Sequence, residues 1–455
     1  MFDKVLVANR GEIALRVLRT CRDMGIKTVA VHSTSDADSL PVRLADQSIC
    51  IGPARGRDSY AHPAAVIEAA LMSGAQAVHP GYGYLSEDPD FAQICADHLL
   101  TFIGPEPSVI ANLGDKAVAR QLMEGQGLQL LPGNREPAAS VAEALEIAQE
   151  VGFPVIIKIA KGGGGIGMRV ARNEFEFVRE YNVARVVAQN LYGDRRVYCE
   201  RYVERARHIE VQVLCDRHGN GIHLGTRDCT TQRRFQKLIE EAPAPFVDPA
   251  ALEELANSAL RAALGVGYTG VGTFEFLLDT EGAFSFMEVN CRLQVEHTVT
   301  EMITGLDLVR EQLLVAAGEP LSLTQDDVQL RGHAVQCRVN AEDPARDFAP
   351  TPGQLTRFLA PAGPFTRVDT HAFTGMTIAP DYDSLLAKVI TWGADRDTAI
   401  ARAARAMDEF VAEGRGVRTT VPFHRAALTS AEFRAMRHTT TWAATVAPQP
   451  VDRGR

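Results

Sequence analysis

The sequence predicts an α/β N-terminal third built on a Rossmann-like parallel sheet, followed by α+β regions dominated by antiparallel strands. Three observations carry this expectation. Apolar strand-like runs alternate with amphipathic helical segments as far as residue 104. Beyond residue 115 strands follow one another with fewer helices between them. The composition, 46% hydrophobic and 23% charged, belongs to a chain with a full core and excludes collagen, disulfide-scaffold and disordered classes. At roughly 150 residues per domain, 455 residues predict about three domains, placed by the pattern at 1–114, 115–318 and 331–445.

In the first region KVLVA (4–8) reads as a buried strand, and a helix from Ile13 to Met24 presents Ile13, Val17, Leu18 and Cys21 on one face. KTVAVH (27–32), SICI (48–51), AQAVHP (75–80) and TFIG (101–104) are further strands, with helices near 62–73 and 90–98. That alternation predicts helices on both faces of a parallel sheet. No G-x-G-x-x-G follows the first strand, so dinucleotide binding there is not supported. A helix begins near Asp115, followed by a loop (132–137) and a second helix (140–150). Strands follow at 153–160, 168–171, 196–203, 208–216 and 221–226. After a helix at 248–265, GTFEFLLD (272–279) and AFSFMEVN (283–290) form a hairpin turning through Asp279–Gly282. The last region opens with HAVQCRVNAEDP (333–344) and includes a helix from Asp397 to Glu413, stopped by Gly414.

The net charge of −10 argues against nucleic acid or an anionic membrane as partner. Seven lysines stand against forty arginines, so each lysine is more informative than usual. Eight cysteines form no C-x-x-C pair, which argues against a zinc site and for buried, reduced thiols. The first residues do not read as a signal peptide and no run reaches the length of a membrane span, so a cytoplasmic location is expected.

Lys161–Gly167 is the loudest local signal. It lies between two strands and lacks the Gly-Lys-Ser/Thr of a Walker A loop, which leaves a mobile linker or a glycine lid over a polyphosphate. Lys158 and Lys116 are point charges suited to such phosphates. Residues two apart on a strand share a face, so Glu288 and Asn290 point together, and Glu275 joins them across an even turn. Two carboxylates and an amide oxygen suit Mg²⁺ held jointly with phosphates. The flanking Phe274, Phe276, Phe286 and Met287 are expected on the opposite, core-packed face. Arg292, Gln294 and Glu296 continue the same phase if the chain stays extended, forming an anion strip with Glu296 placed to take a proton. His208, Glu210 and Gln212, and likewise Gln336, Arg338 and Asn340, form polar faces of half-buried strands. The basic run 227–237 reads equally as a short basic patch or a solvated face. Tyr82 follows a parallel strand, where an open sheet presents ligand-facing loops.

Taken together, ANRGEIALR (8–16), HPGYGYLSE (79–87), GDK (114–116), KIAKGGGGIGMR (158–169), RHIEVQV (207–213), RDCTTQRRFQKLIEEAPAP (227–245), EVNCRLQVEHTVTE (288–301) and RGHAVQCRVNAEDP (331–344) resemble the biotin carboxylase family of ATP-grasp ligases. The resemblance spans about residues 1–445 and implies an ATP-grasp fold between N-terminal and C-terminal biotin carboxylase domains. It implies ATP contacts at Lys116, Lys158, Gly164, Gly165, Glu200, Arg201, Tyr202, Val203, His208, Gln232, Leu277 and Glu288. Glu275, Glu288 and Asn290 match its Mg²⁺ or Mn²⁺ ligands, and Lys237, Arg292, Gln294 and Val295 its bicarbonate site. Tyr82 and Arg338 match the biotin side; Glu296 matches the general base, acting with the catalytic Lys237, Arg292 and Arg338.

The activity so implied is ATP-dependent carboxylation of biotin by bicarbonate through carboxyphosphate, the first half-reaction of an acetyl-CoA or acyl-CoA carboxylase in fatty acid biosynthesis. A homodimer, a biotin carboxyl carrier protein and carboxyltransferase subunits are the implied partners. No lysine lies in a Met-Lys-Met context, so biotin is expected on another chain. Three residues depart from the family pattern: Ile166 in the lid, Phe235 where many members carry histidine, and Cys291 beside Arg292. The alternatives are a pyruvate- or urea-type carboxylase and an ATP-grasp carboxylate–amine ligase, which would not require the Arg292–Glu296 strip together with Tyr82 and Arg338. A nucleotide-binding relic would lack Glu296 or a metal ligand, and all are present.

Overall fold

Apolar runs at the chain's start pair first with each other. Strands β1 (Lys4–Val7), β2 (Lys27–Ser33), β3 (Gln47–Gly52), β4 (Ala77–His79) and β5 (Thr101–Phe102) form a parallel sheet in the order β3-β2-β1-β4-β5. The helix Gly11–Asp23 covers it with Ile13, Val17, Leu18 and Cys21, as its 3.6-residue spacing requires. The strand order reverses between β1 and β4, so the loops leaving their carboxyl ends diverge and open a crevice. The computed structural model describes residues 1–134, 137–159 and 167–446.

A second, antiparallel sheet joins β6 (Val155–Ile159), β7 (Arg169–Ala171) and β8 (Val197–Arg201) in the order β7-β6-β8. Packed on it is the helix Glu174–Tyr192, an element not expected from the sequence. Its signals are present: Asn173 accepts a capping bond from the Glu176 amide, Phe177, Tyr181, Ala184 and Ala188 form one buried stripe, and Gly193 ends it in the left-handed region.

The third sheet has eight strands and carries the chemistry. β9 (Arg207–Cys215), β10 (Gly221–Arg233), β11 (Gln236–Ala242), β12 (Gly270–Leu278), β13 (Phe284–Asn290) and β14 (His333–Asn340) pair antiparallel in the order β13-β12-β9-β10-β11-β14. The strands Leu385–Gly393 and Thr366–Thr370 extend it beyond β14. One continuous sheet therefore joins strands from residues 207–290 and 333–393.

Four local expectations are corrected. The 227–237 run is not a charged surface over most of its length: β10 continues through it to Arg233, with Arg227, Thr230 and Thr231 buried, and only the turn at Arg234, Phe235 and Gln236 is exposed. The helix expected over Asp397–Glu413 spans Arg396–Glu409, because Val411–Glu413 pairs instead with Arg357–Leu359. Gly414 is required at that crossing, where an added Cβ would lie 2.1 Å from the Gln354 carbonyl oxygen. The chain does not stay extended after Asn290; it bends and enters the helix His297–Thr304, with Glu296 at the N-cap. Met287 leaves the core face, because an irregularity between Glu275 and Phe276 breaks the alternation and turns it toward the crevice. Phe274, Phe276 and Phe286 pack together as expected, with ring centroids 6.4 and 6.0 Å apart.

Glu241 on β11 locks this sheet to the helix Arg396–Glu409: Arg396 reaches it at 2.6 and 2.9 Å and His333 at 3.0 Å. Burial opposes its ionisation, but His333 and Arg396 prevail and bring its pKa down to about 2. A depressed folded-state value means stability that is present above the unfolded pKa of about 4.3 and lost as pH falls toward 2. Glu241→Gln is expected to lower urea stability at pH 7 by about 3 kcal/mol. The gap to the wild type should narrow by pH 3.

Candidate active site

A cavity of about 660 Å³ opens where the loops after β1 and β4 face the eight-stranded sheet. Asn9 holds the two loops together, its amide donating to the Pro80 and Tyr82 carbonyls at 2.7 and 2.8 Å. The floor is built by register. Glu275 on β12 stands directly opposite Glu288 on β13 and Glu210 on β9, while Thr273 stands opposite Asn290 and Gln212. The turn is odd rather than even as expected, with Leu278 opposite Phe284, and the register irregularity between Glu275 and Phe276 restores the phase that puts Glu275, Glu288 and Asn290 on one face.

Lys237 on β11 points into this acidic face. Its ammonium bonds Glu210, lies 2.8 Å from Glu275 and lies 2.7 Å from Glu296. Arg338 on β14 holds the other oxygen of Glu296 at 2.8 Å and is itself bonded to Glu240. Burial disfavours the Glu296 carboxylate, but Lys237, Arg338 and Arg227 outweigh it and hold the group well below the usual carboxylate range. Glu275 is depressed in the same way, against burial, by Lys237 and His208. Burial opposes protonation of His208, yet Glu275, at 3.1 Å, and Glu210 raise its pKa. Gln232 meets the other ring nitrogen of His208 at 3.3 Å.

The strip after β13 stays at the site although it is bent. Gln294 donates to Glu275 at 2.8 Å, and Arg292 donates to the Asn290 side-chain oxygen at 3.0 Å. Two partners here escaped the sequence reading. Glu87, in the loop after β4, takes Arg292 at 3.0 Å and the Cys291 amide at 3.1 Å. Arg227 is completely buried, and all five of its N–H donors are used: by Glu210, Gln212, Thr300, Thr273 and Gln294. Lysine scarcity could not flag an arginine, and Glu87 lies 205 residues from its partner.

On the phosphate side Lys116 lies 3.6 Å from Glu288, in the first turn of the helix Lys116–Gly125, which Asp115 caps. Lys158 is bonded to Glu200, which Arg120 also holds at 2.7 Å. Lys116, Lys158, His208, Gln232, Val295, Glu288 and Tyr82 all line the cavity. Leu277 is half-buried directly opposite His208. Arg201, exposed at the end of β8, and the half-buried Tyr202 and Val203 are not brought to its lining. Gly164, Gly165 and Ile166 lie outside the described residues. Phe235 lines the cavity from a two-residue turn in which Arg234 and Phe235 both adopt positive φ, 49° and 66°. The Tyr82 hydroxyl donates to Glu12.

The donor set fits a hard divalent cation: two carboxylates and an amide oxygen share one face, where Lys116, Lys237, His208 and Arg292 now occupy them. Glu275, Glu288 and Asn290 are the residues that would hold Mg²⁺ or Mn²⁺.

Comparison with known proteins agrees with this geometry. Residues 1–110 match the biotin carboxylase N-terminal domain, 115–324 the ATP-binding domain of the carbamoyl-phosphate synthase L chain, and 336–445 the biotin carboxylase C-terminal domain. The chain is 51% identical to the biotin carboxylase of a Nostoc species over 432 residues, 95% of this chain and 96% of that protein. It is 48% identical to one of the pyruvate carboxylase subunits of Methanothermobacter thermautotrophicus, over 95% of this chain and 88% of that one. The biotin carboxylase domain dimer of the Hydrogenobacter thermophilus 2-oxoglutarate carboxylase, solved with MgADP, ADP and bicarbonate, superposes with a TM-score of 0.94. That structure shares 43% identity and covers 97% of this chain and 96% of its own. The chain belongs to the biotin carboxylase family, and its fold is that of the ATP-grasp ligases.

Arg227 yields a stability prediction. Arg227→Met leaves Glu210 short of a cation and four polar partners, Gln212, Thr273, Gln294 and Thr300, without their donor, so it should cost about 3–5 kcal/mol in urea unfolding. A loss below about 1 kcal/mol would contradict its role as the central buried tie.

Proposed function

We propose that the protein carboxylates biotin with bicarbonate and ATP, the biotin being carried on a separate carrier protein. The observation that carries this reading is the Glu296 carboxylate, buried yet held ionised between Lys237 and Arg338, in the cavity that Lys116, Lys158 and Tyr82 also line. Lys237, Arg292, Gln294 and the Val295 backbone hold bicarbonate. Glu296 takes its proton, and a carbonate oxygen attacks the γ-phosphorus as the bond to ADP breaks, giving carboxyphosphate. Mg²⁺ or Mn²⁺ bound by Glu275, Glu288 and Asn290 supplies charge neutralisation to the phosphates. Lys116 and Lys158 supply further positive charge on the same side. Carboxyphosphate divides into CO₂ and phosphate, and the phosphate removes the N1′ proton of biotin. Arg338 stabilises the resulting ureido oxyanion while N1′ takes up CO₂.

The carrier and a carboxyltransferase then pass the carboxyl group to its acceptor, which we take to be acetyl-CoA or another acyl-CoA, with homodimerisation of this chain. The similarity to a pyruvate carboxylase makes pyruvate the second candidate acceptor. All eight cysteines are free, which suits a reducing cytosol, and no described helix is long and apolar enough to cross a membrane.

Bicarbonate-dependent ATP hydrolysis, assayed with and without free biotin, tests the reading; an absence of biotin stimulation with intact ATP binding overturns it. Glu296→Ala should reduce the stimulated rate by about 10²–10⁴-fold while sparing ADP binding. Glu87→Gln should raise the bicarbonate KM by about tenfold, through loss of the Arg292 partner, at unchanged ADP affinity.

A further inference from the structure

We propose that Lys388, acting with Glu12, positions the Tyr82 loop and the Val295–Glu296 segment at a fixed spacing, so that carboxyl transfer to biotin occurs where carboxyphosphate is made. The inference rests on the biotin-carboxylation reading and deepens it. Lys388 is completely buried and does not line the cavity, so it touches no substrate. Its register places it directly opposite Arg338 on one side and Asp369 on the other. Its ammonium lies 3.0 Å from Glu12 and donates to the Val295 carbonyl oxygen at 3.2 Å. Glu12, in the first turn of the helix Gly11–Asp23, accepts the Tyr82 hydroxyl on its other oxygen. A chain of contacts therefore runs Tyr82–Glu12–Lys388–Val295, from the loop after β4 to the residue preceding the base.

The same cluster braces the helix that Glu296 caps. Glu301 of that helix is held by Arg16 at 2.7 Å and by Arg367 at 2.6 Å, and Arg367 pairs with Asp369, which lies 3.8 Å from Lys388. Packing alone does not call for an ammonium here, since an apolar side chain of similar volume is commonly as stable as a buried ion pair. What an apolar side chain would lack is the directional hold on Val295 and, through Glu12, on Tyr82.

The test is the paired variant Lys388→Met with Glu12→Gln, which removes both charges together and leaves no uncompensated buried ion. Free-biotin kcat/KM should fall by about tenfold, with ADP affinity and the slow biotin-independent ATPase within about twofold of the wild type. In a Tyr82→Phe background, where the link is already cut, the same pair should change biotin kcat/KM by less than about twofold. If the paired variant does not fold, Glu12→Gln alone carries the same expectation. Unchanged biotin kcat/KM, an equal fall in all activities, or an undiminished effect in the Tyr82→Phe background overturns the proposal. Absent biotin stimulation in the wild type instead overturns the function on which it rests.

Discussion

One buried ammonium sets the terms for the whole site. Lys237 is shared by Glu210, Glu275 and Glu296, three carboxylates supplied by β9, β12 and the N-cap of the helix after β13. Three acids cannot stay ionised together in a buried place without such a cation, because each would lose several kcal/mol of solvation. Arg227 and Arg338 complete the compensation from beneath and beside. The outcome is a carboxylate that is desolvated, held in its charged form by its cations and fixed in direction by Lys237 and Arg338.

Placing those partners is the work of strand register. Glu275 faces Glu288 and Glu210 only because β9, β12 and β13 pair in one phase, and Arg338 reaches Glu296 only because β14 adds to the same sheet through β11. The parallel sheet contributes the opposite wall from its switch point, where Tyr82 projects from the loop after β4 and Glu12 from the first turn of the helix after β1. Between the two walls runs a layer of ion pairs whose members come from three separate stretches of chain, Arg16, Glu301 and Arg367 among them.

Much of this was legible in the sequence for a physical reason. Period-two alternation put Glu288 and Asn290 on one face, and their hard donors suggested a cation site. It misplaced Met287, because the register irregularity opposite Glu275 cannot be read from the strand's own residues. Lysine scarcity singled out Lys116 and Lys158, while Lys237 entered only through the family resemblance. The misses share a cause: they depend on partners distant along the chain. Arg227 looked like part of a charged surface because the acids and amides that saturate it lie on four other segments. Val411–Glu413 continued a plausible helix, and pairing with Arg357–Leu359 overrode that local preference. Glu296 was expected on an extended strip; instead it caps the helix His297–Thr304, whose Glu301 is held by Arg16 and Arg367 from distant parts of the chain.

The central claim is that Glu296 remains ionised while buried, and its carboxyl carbon reports this directly. In protein labelled with ¹³C at the glutamate carboxyl, Glu296→Gln identifies the signal to follow. The predicted result is a carboxylate shift that stays constant from pH 8 down to pH 4.5, well beyond where an exposed glutamate, at about 4.3, begins to titrate. A signal that moves with a midpoint at or above that value would show a carboxyl kept neutral by burial, and would contradict the account.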